Sequence, residues 1–529
     1  MFLLGILIAS YSYAIFLIGV FGYLTKNAVF LITLIWVFLV IKLLKNKFVT
    51  QLKKISIKEI SQDKFELVTV SIIIILLLIN FIGIFIPEIS FDALWYHLTI
   101  PKLYIDIGKI TFIPGGLLYY SALPKMGEIL YISALFIDGT TLTKFIHFFF
   151  SLLCLISLYG FSRIFVSKKF ALLSVLIFYS NLVVLWESTA SYIDLIWTFF
   201  EIISFWSFFR YISSKNKKDL ILSALFLGFA AGTKLLGIRD IVLIIVFITI
   251  LGFVEKKNFL SIFKDIILYS TTFMIVLSPW IIFSYFYTNN PIYPFLTNIY
   301  SLSTTDLFNF LNILREYTIL FIKSPDPISP IYIIVLPLIF IYFTSLNLKS
   351  KYLSIFVLLS LILWYLTYQV GAEGRYMIPY LALYSTLCSI LILKSNTYIR
   401  KTLLIIVFII AFSSILYRGI ATLRFLPVVF GQESKGDFLT KNLNFDFGDF
   451  YDTDGWFAEN IRENDKVLLI GFHNLYYVDF PFVHESYLKP EDSFNYIAAQ
   501  NTDLPKRYNN WKLVYENDTT NVKVYKDIN

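Results

Sequence analysis

The sequence predicts an all-α polytopic membrane bundle of about 13 transmembrane helices with a small C-terminal α/β domain, and three observations predict it. The 529 residues are 58% hydrophobic and 19% aromatic but only 15% charged, against roughly 25% charged in soluble domains. Apolar runs of spanning length recur from residue 2 to residue 418. Composition then breaks at about residue 425. Before it 34 Lys/Arg face 19 Asp/Glu and after it 10 face 17, so the net charge of +8 divides into +15 and −7.

The apolar runs lie near 2–22, 27–43, 66–87, 143–165, 169–186, 192–210, 219–236, 240–254, 265–287, 330–345, 352–370, 375–393 and 401–418. Residues 1–22 lack the basic start and the cleavage site of a signal peptide and read as a retained first helix. The loops 42–64, 162–169, 210–218, 255–264, 348–351 and 394–401 alternate along the chain and hold about 22 of the 34 basic residues. The positive-inside rule makes these loops cytoplasmic, which places the amino terminus inside and the tail outside. Because the basic excess flanks apolar runs, it orients the chain and does not call for nucleic acid. Cys154 and Cys388 both fall inside apolar runs, which leaves no disulfide framework and no thiolate metal site.

Two domains follow: 1–425 in the membrane, with long outer loops 88–142 and 288–329, and 426–529 as an extracytoplasmic α/β domain. In the first loop, segments such as 128–137 are too short to span and are expected along the membrane surface as amphipathic helices. The second, punctuated by Asn289-Asn290-Pro291 and Ser324-Pro325-Asp326-Pro327, is expected to act as a lid. In the tail, Lys466–Phe472 and Leu475–Phe482 read as strands and Asp454–Glu463 as a helix. Trp511–Glu516 and Asn521–Lys526 read as a hairpin.

Ionisable residues at membrane depth are costly and therefore mark candidate sites. On the predicted outer side lie Asp92, His97, Lys102 and Asp106 after the third run. Glu187 and Asp194 flank the turn between the fifth and sixth runs, Lys234 ends the seventh, and Glu373 with Arg375 opens the twelfth. If 92–99 is helical, Asp92, Trp95 and Tyr96 share a face. That sets a carboxylate suited to general-base work among rings suited to sugars. The competing reading is an N-cap Asp opening an interfacial helix with an aromatic belt. His147 reads as a satisfied interior residue, and His473 and His484 as ordinary residues of the tail.

The segment from Asp92 to Tyr104 resembles the D-x-x-x-Y-H-L-x-x-P-K-x-Y pattern in the first outer loop of GT-C-type membrane glycosyltransferases. These are similar to the protein O-mannosyltransferases and the lipid A aminoarabinose transferases. Gly228–Lys234 resembles their G-x-x-x-G-T-K helix end. Pro279-Trp280 with Thr288–Pro294 resembles P-W…(G/N)-N-P-x-Y-P, and Arg375–Pro379 resembles R-Y-x-x-P. The four pieces occur in the family's order.

The resemblance implies transfer of a sugar from a polyprenyl-phosphate donor to an acceptor hydroxyl on a lipid, polysaccharide or protein, with inversion, on the outer face. Asp92 matches the family's catalytic acid and Asp194 its second acidic position, with Glu187 as the alternative. His97, Lys102, Lys234 and Arg375 are then expected around the donor phosphate. Trp95, Tyr96, Tyr104, Glu187, Tyr293 and Tyr376 are expected to contact substrate. No cofactor is fixed by the resemblance. A divalent metal at the first acidic position has the difficulty that relatives carry a second adjacent acid there, where this chain has Phe91 and Ala93. Two other classes compete: a translocator or channel for a lipid-linked or polar substrate, and a polysaccharide polymerase or ligase of a different fold. A translocator calls for ionisable residues near the bilayer centre.

Overall fold

The computed structural model describes residues 1–54, 63–137, 139–295, 297, 310–367 and 374–527. Long apolar stretches satisfy every backbone group inside one helix, the solution that a bilayer demands. The helices are, in order, α1 Phe2–Val20, α2 Lys26–Lys54, α3 Lys64–Gly83, α4 Thr99–Ile107, α5 Met126–Leu135, α6 Thr140–Ser162, α7 Lys168–Tyr179, α8 Leu182–Glu187 and α9 Asp194–Ser214. They continue with α10 Lys217–Thr233, α11 Arg239–Val254, α12 Phe259–Thr288, α13 Phe310–Thr318, α14 Ile331–Val335, α15 Leu338–Tyr342, α16 Leu348–Thr367, α17 Ile378–Lys394 and α18 Thr397–Arg424. Among the described residues, ten helices are long and apolar enough to cross a membrane.

Among the described residues each of the thirteen apolar runs forms helix, but three fall short of a full span. The run 169–186 breaks at Ser180-Asn181 into α7 and α8. There the Asn181 amide donates to the carbonyls of Ile177 and Phe178 and to the Tyr332 hydroxyl, while its oxygen accepts from Ser329 N. These bonds satisfy the backbone that the break releases. The run 219–236 gives the 17-residue α10. The run 330–345 is split around Pro337 into α14 and α15, because proline removes a helical N–H.

Ion pairs sort the loops into two groups. Lys168–Glu66, Lys169–Asp63, Arg210–Asp219, Lys215–Glu255 and Lys217–Asp265 join residues at or beside the basic loops. Among the described residues no ion pair crosses from that group to the loops carrying Asp92, Asp194, Lys234 and Arg375.

In the loop 88–142, α4 is amphipathic as expected, but α5 corrects the surface-helix expectation for 128–137. Met126 to Ile132 are all buried, so the helix packs inside the bundle. Residues 296 and 298–309, in the loop expected to be a lid, lie outside the described residues. On its far side Tyr317 donates to the carbonyl of Leu361 at 2.9 Å, which ties α13 to α16.

The tail forms a five-stranded sheet of order β2-β1-β3-β5-β4: β1 Val467–Ile470, β2 Phe482–His484, β3 Tyr496–Gln500, β4 Lys512–Asn517 and β5 Val522–Lys526. β1 runs parallel to β2 and β3, and β5 antiparallel to β3 and β4. Successive residues of β1 face opposite sides, Val467 and Leu469 one core and Leu468 and Ile470 the other. The predicted hairpin is present, with β4 and β5 each starting one residue later. The expected strand over Leu475–Phe482 is not: these residues dock on the first outer loop, β2 starts only at Phe482, and β3 takes the neighbouring place. The expected helix over Asp454–Glu463 is the single turn Trp456–Asn460.

Candidate active site

Asp92 precedes a single π-helical turn, Ala93–His97, closed by Leu98 N donating to the Ala93 carbonyl at 2.9 Å. Such turns are rare and frequent at functional sites. The Tyr96 hydroxyl donates to Asp92 Oδ2 at 3.0 Å. Trp95 departs from the expected shared face, because its indole N–H donates to the Leu117 carbonyl at 3.0 Å. The hydroxyl of Tyr192 accepts from the backbone N–H of Asp92 at 3.2 Å and so fixes where the carboxylate emerges.

Arg375 approaches from the short 3-10 turn Gly374–Met377 that leads into α17. Gly374 is required there, since a Cβ would come within 2.1 Å of the Asp326 carbonyl oxygen. Arg375 Nη1 lies 2.5 Å from Asp92 Oδ2, with the two side chains 13% and 8% exposed. Its Nη2 donates to the Tyr376 hydroxyl at 3.0 Å, and the guanidinium stands over the rings of Tyr376 (4.9 Å) and Tyr192 (5.6 Å). Guanidinium stacking of this kind removes side-chain freedom and aims the charge.

A second pair lies beside the first. Asp194 opens α9 and Lys234 follows α10, so the antiparallel hairpin of these helices brings both to one end. Lys234 Nζ is 2.6 Å from Asp194 Oδ1 and 4.4 Å from the Tyr376 ring centroid. Tyr376 therefore stands between the two cations. Close packing positions Lys234: a Cβ on Gly228 would meet Val276 at 2.7 Å and one on Gly232 the indole nitrogen of Trp280 at 2.9 Å. The G-x-x-x-G and P-W segments are thus two halves of one α10–α12 contact, in which small residues let helices approach. Glu187 is fully buried, with neither carboxylate oxygen hydrogen-bonded among the described residues. A buried acid without a partner is expensive, which marks it as a functional candidate.

Not every residue singled out from sequence joins this cluster. Lys102 instead clamps the tail, donating to the carbonyls of Tyr476 (2.8 Å) and Val478 (2.7 Å) and to Asp479 (2.6 Å). All three acceptors lie in the segment misread as a strand. His97 pairs through Nδ1 with Glu128 at 2.9 Å, buried. Tyr104 is buried, 3.4 Å from the Ser121 carbonyl, and Tyr293 packs edge-on against Phe112. Asp106 is exposed near Lys102 and Asp479, and burial by its neighbours raises its carboxyl. Glu373 lies outside the described residues.

Sequence reasoning missed Glu88. Its carboxylate accepts from Ile89 N, Ser90 N and Ser191 N, at 3.1, 2.9 and 2.7 Å. It thereby ties the segment entering Asp92 to the turn entering Asp194. Also missed was a buried group deeper in the bundle. Arg239 Nη2 donates to the Tyr376 carbonyl at 3.0 Å, the Tyr380 hydroxyl donates to Asp240, and both oxygens of Glu201 lack a partner among the described residues. Charges inside apolar runs were the available signal. His147 is a satisfied interior residue: Nδ1 bonds the carbonyls of Glu187 and Ala190, and Nε2 accepts from Leu195 N at 3.1 Å.

The described donor set does not form a zinc-type site. Among the described residues no three His, Cys, Asp or Glu side chains converge, and the Asp92 carboxylate is engaged by Arg375 and Tyr96. Three or more protein ligands are the rule for zinc.

No family model and no curated protein matches the chain. Solved structures do. The apo structure of ArnT from Cupriavidus metallidurans aligns over 86% of this chain and 97% of its own, with a TM-score of 0.57 at 10% identity. ArnT from the same organism bound to undecaprenyl phosphate aligns over the same shares with a TM-score of 0.54, also at 10% identity. The chain is an integral, multi-pass membrane protein with the fold of ArnT.

Proposed function

We propose that this protein transfers a sugar from a polyprenyl-phosphate donor to an acceptor hydroxyl on the outer face of the membrane, with inversion and with Asp92 as base. The observation that carries this reading is the pair of cation–carboxylate contacts, Arg375–Asp92 and Lys234–Asp194, set on either side of Tyr376. The ArnT structure with undecaprenyl phosphate supports the donor class. The basic loops support an amino terminus in the cytoplasm and a tail outside.

Transfer forms a bond from the acceptor oxygen to the anomeric carbon and breaks the bond from that carbon to the phosphate oxygen. The acceptor proton passes to Asp92, and the bond pair leaves on the polyprenyl phosphate. Arg375 and Lys234 meet that anion with charge already aimed, the preorganisation that usually dominates catalysis. Their carboxylate partners hold them in place before the donor arrives. When phosphate shares the guanidinium, the Asp92 carboxylate gives up part of its ion pair and is free to meet the acceptor hydroxyl. Tyr96 keeps the carboxylate oriented meanwhile. Asp194 acts through Lys234, and Glu187 is the third acid lining the site. The acceptor is a hydroxyl of a lipid, polysaccharide or protein.

The test is binding of undecaprenyl phosphate to purified protein in nanodiscs, read by native mass spectrometry. The wild type should bind, and Arg375→Ala and Lys234→Ala should each weaken binding by about tenfold or more, as expected for a lost charged hydrogen bond. Absence of binding by the wild type contradicts the reading. A translocator remains the second reading because Glu201, Arg239 and Asp240 lie within the bundle. It predicts that the lipid-linked sugar crosses a proteoliposome bilayer intact, with no polyprenyl phosphate released.

A further inference from the structure

We infer that the tail and the first outer loop together build an aromatic platform that binds a sugar ring of the acceptor. The inference rests on the glycosyl-transfer reading and adds the acceptor's chemical class and a site for it.

The platform is a continuous series of ring contacts running from the tail to the Asp92 carboxylate. Phe447 of the tail packs edge-on against His473 at 5.2 Å, and His473 lies 4.6 Å from Trp95. Trp95 meets Tyr120 at 5.1 Å, and Tyr120 stacks on Tyr96 at 3.8 Å with 8° between the planes. Tyr96 in turn donates to Asp92. Phe91, immediately before Asp92, closes the upper end: it stacks on His473 at 5.1 Å and meets Phe447 at 5.0 Å.

The inner rings are buried or half-buried, whereas Phe447 is 54% and Phe91 38% exposed. Two phenyl rings from different parts of the chain thus present apolar area to the outside at the end of a ring series that reaches the Asp92 carboxylate. Core packing does not require this exposure. Carbohydrate chemistry matches it, because the C–H faces of a pyranose are weakly positive and pair with the negative face of an aromatic ring. Polar edges for hydroxyl groups are adjacent. Asp446 precedes Phe447, is exposed, and accepts from Asn521 at 3.0 Å. His473 Nδ1 bonds the Asn474 side chain at 2.9 Å, which sets the plane of the imidazole within the stack. The tail's contribution assigns it a function at the site: without 426–529 the platform loses Phe447, His473 and Asp446.

The test uses full-length protein in nanodiscs containing undecaprenyl phosphate, with methyl glycosides of glucose, mannose, galactose and N-acetylglucosamine as probes, read by saturation-transfer NMR. At least one glycoside should show transfer to the C–H face of its ring. Phe447→Ala and Phe91→Ala should each weaken it by about tenfold, the effect of losing one good ring contact. Both positions are partly exposed, so thermal melting and undecaprenyl phosphate binding should remain at wild-type values in both variants. Lipid binding without saturation transfer to any glycoside, or binding indifferent to both substitutions, overturns the platform while leaving the glycosyl-transfer reading intact. Failure of the wild type to bind undecaprenyl phosphate instead removes the reading on which the platform rests.

Discussion

Arg375 and Asp92 are 283 positions apart in sequence, yet their side chains meet at 2.5 Å. The contact closes the site by joining the start of α17 to the loop 88–142. A lysine at 375 keeps the charge but loses the planar donor fork and the stacking on Tyr376 and Tyr192. Arg375→Lys should therefore lower transfer by about 100-fold, measured as release of undecaprenyl phosphate from a lipid-linked sugar.

Lys234 and Asp194 form a buried pair, with side chains 14% and 0% exposed. Lys234→Met strands the Asp194 charge, a defect that costs about 3–5 kcal/mol. The single variant should melt well below the wild type. The double variant Lys234→Met/Asp194→Asn should recover most of that stability and none of the transfer, as followed by thermal unfolding and turnover in the same preparations.

Lys102 separates two roles, since its ammonium is engaged by three acceptors of the tail. Lys102→Met should leave undecaprenyl phosphate binding within about twofold of wild type while loosening the tail, because the partly buried carbonyls of Tyr476 and Val478 lose their donor. Limited proteolysis between residues 425 and 465 should become faster. A large loss of phosphate binding with an unchanged cleavage rate would return Lys102 to the donor site.

Lys125 gives the account a pH dependence. Burial pushes its ammonium down from 10.5 to about 7, opposed by the nearby Glu128. Below pH 7 both folded and unfolded chains carry the charge, and the folded protein bears the cost of burying it. Between about 7 and 10.5 the unfolded chain holds a proton that the folded one has released, so stability rises with pH through that window. Wild-type protein should gain stability relative to Lys125→Met between pH 7 and pH 9, by up to roughly 1 kcal/mol per pH unit.

The membrane bundle was legible because apolar runs announce themselves, and the residues that the fold brings into the two ion pairs, Asp92, Asp194, Lys234 and Arg375, stand at the ends of such runs. What sequence concealed was long-range partnership. Lys102 looked like a phosphate ligand because its acceptor Asp479 lies 377 positions away. Glu88 looked like an ordinary loop acid because Ser191, which it grips, is 103 positions away. Leu475–Phe482 has the apolar and aromatic pattern of a strand, but that surface is buried by docking. The real β3, Tyr496–Gln500, gives a weak signal with two alanines at its centre. The helix α5 was placed at the surface because it is short, although Met126 to Ile132 are all enclosed by the bundle.

The most direct test is turnover by Asp92→Asn in nanodiscs supplied with a panel of undecaprenyl-phosphate-linked hexoses and pentoses. Asparagine preserves shape and can still accept from Tyr96, but it cannot take the acceptor proton. The account predicts that the variant binds undecaprenyl phosphate normally while release of it from the donor falls by about 1,000-fold, within the range for loss of a general base. Wild-type turnover in Asp92→Asn would contradict it.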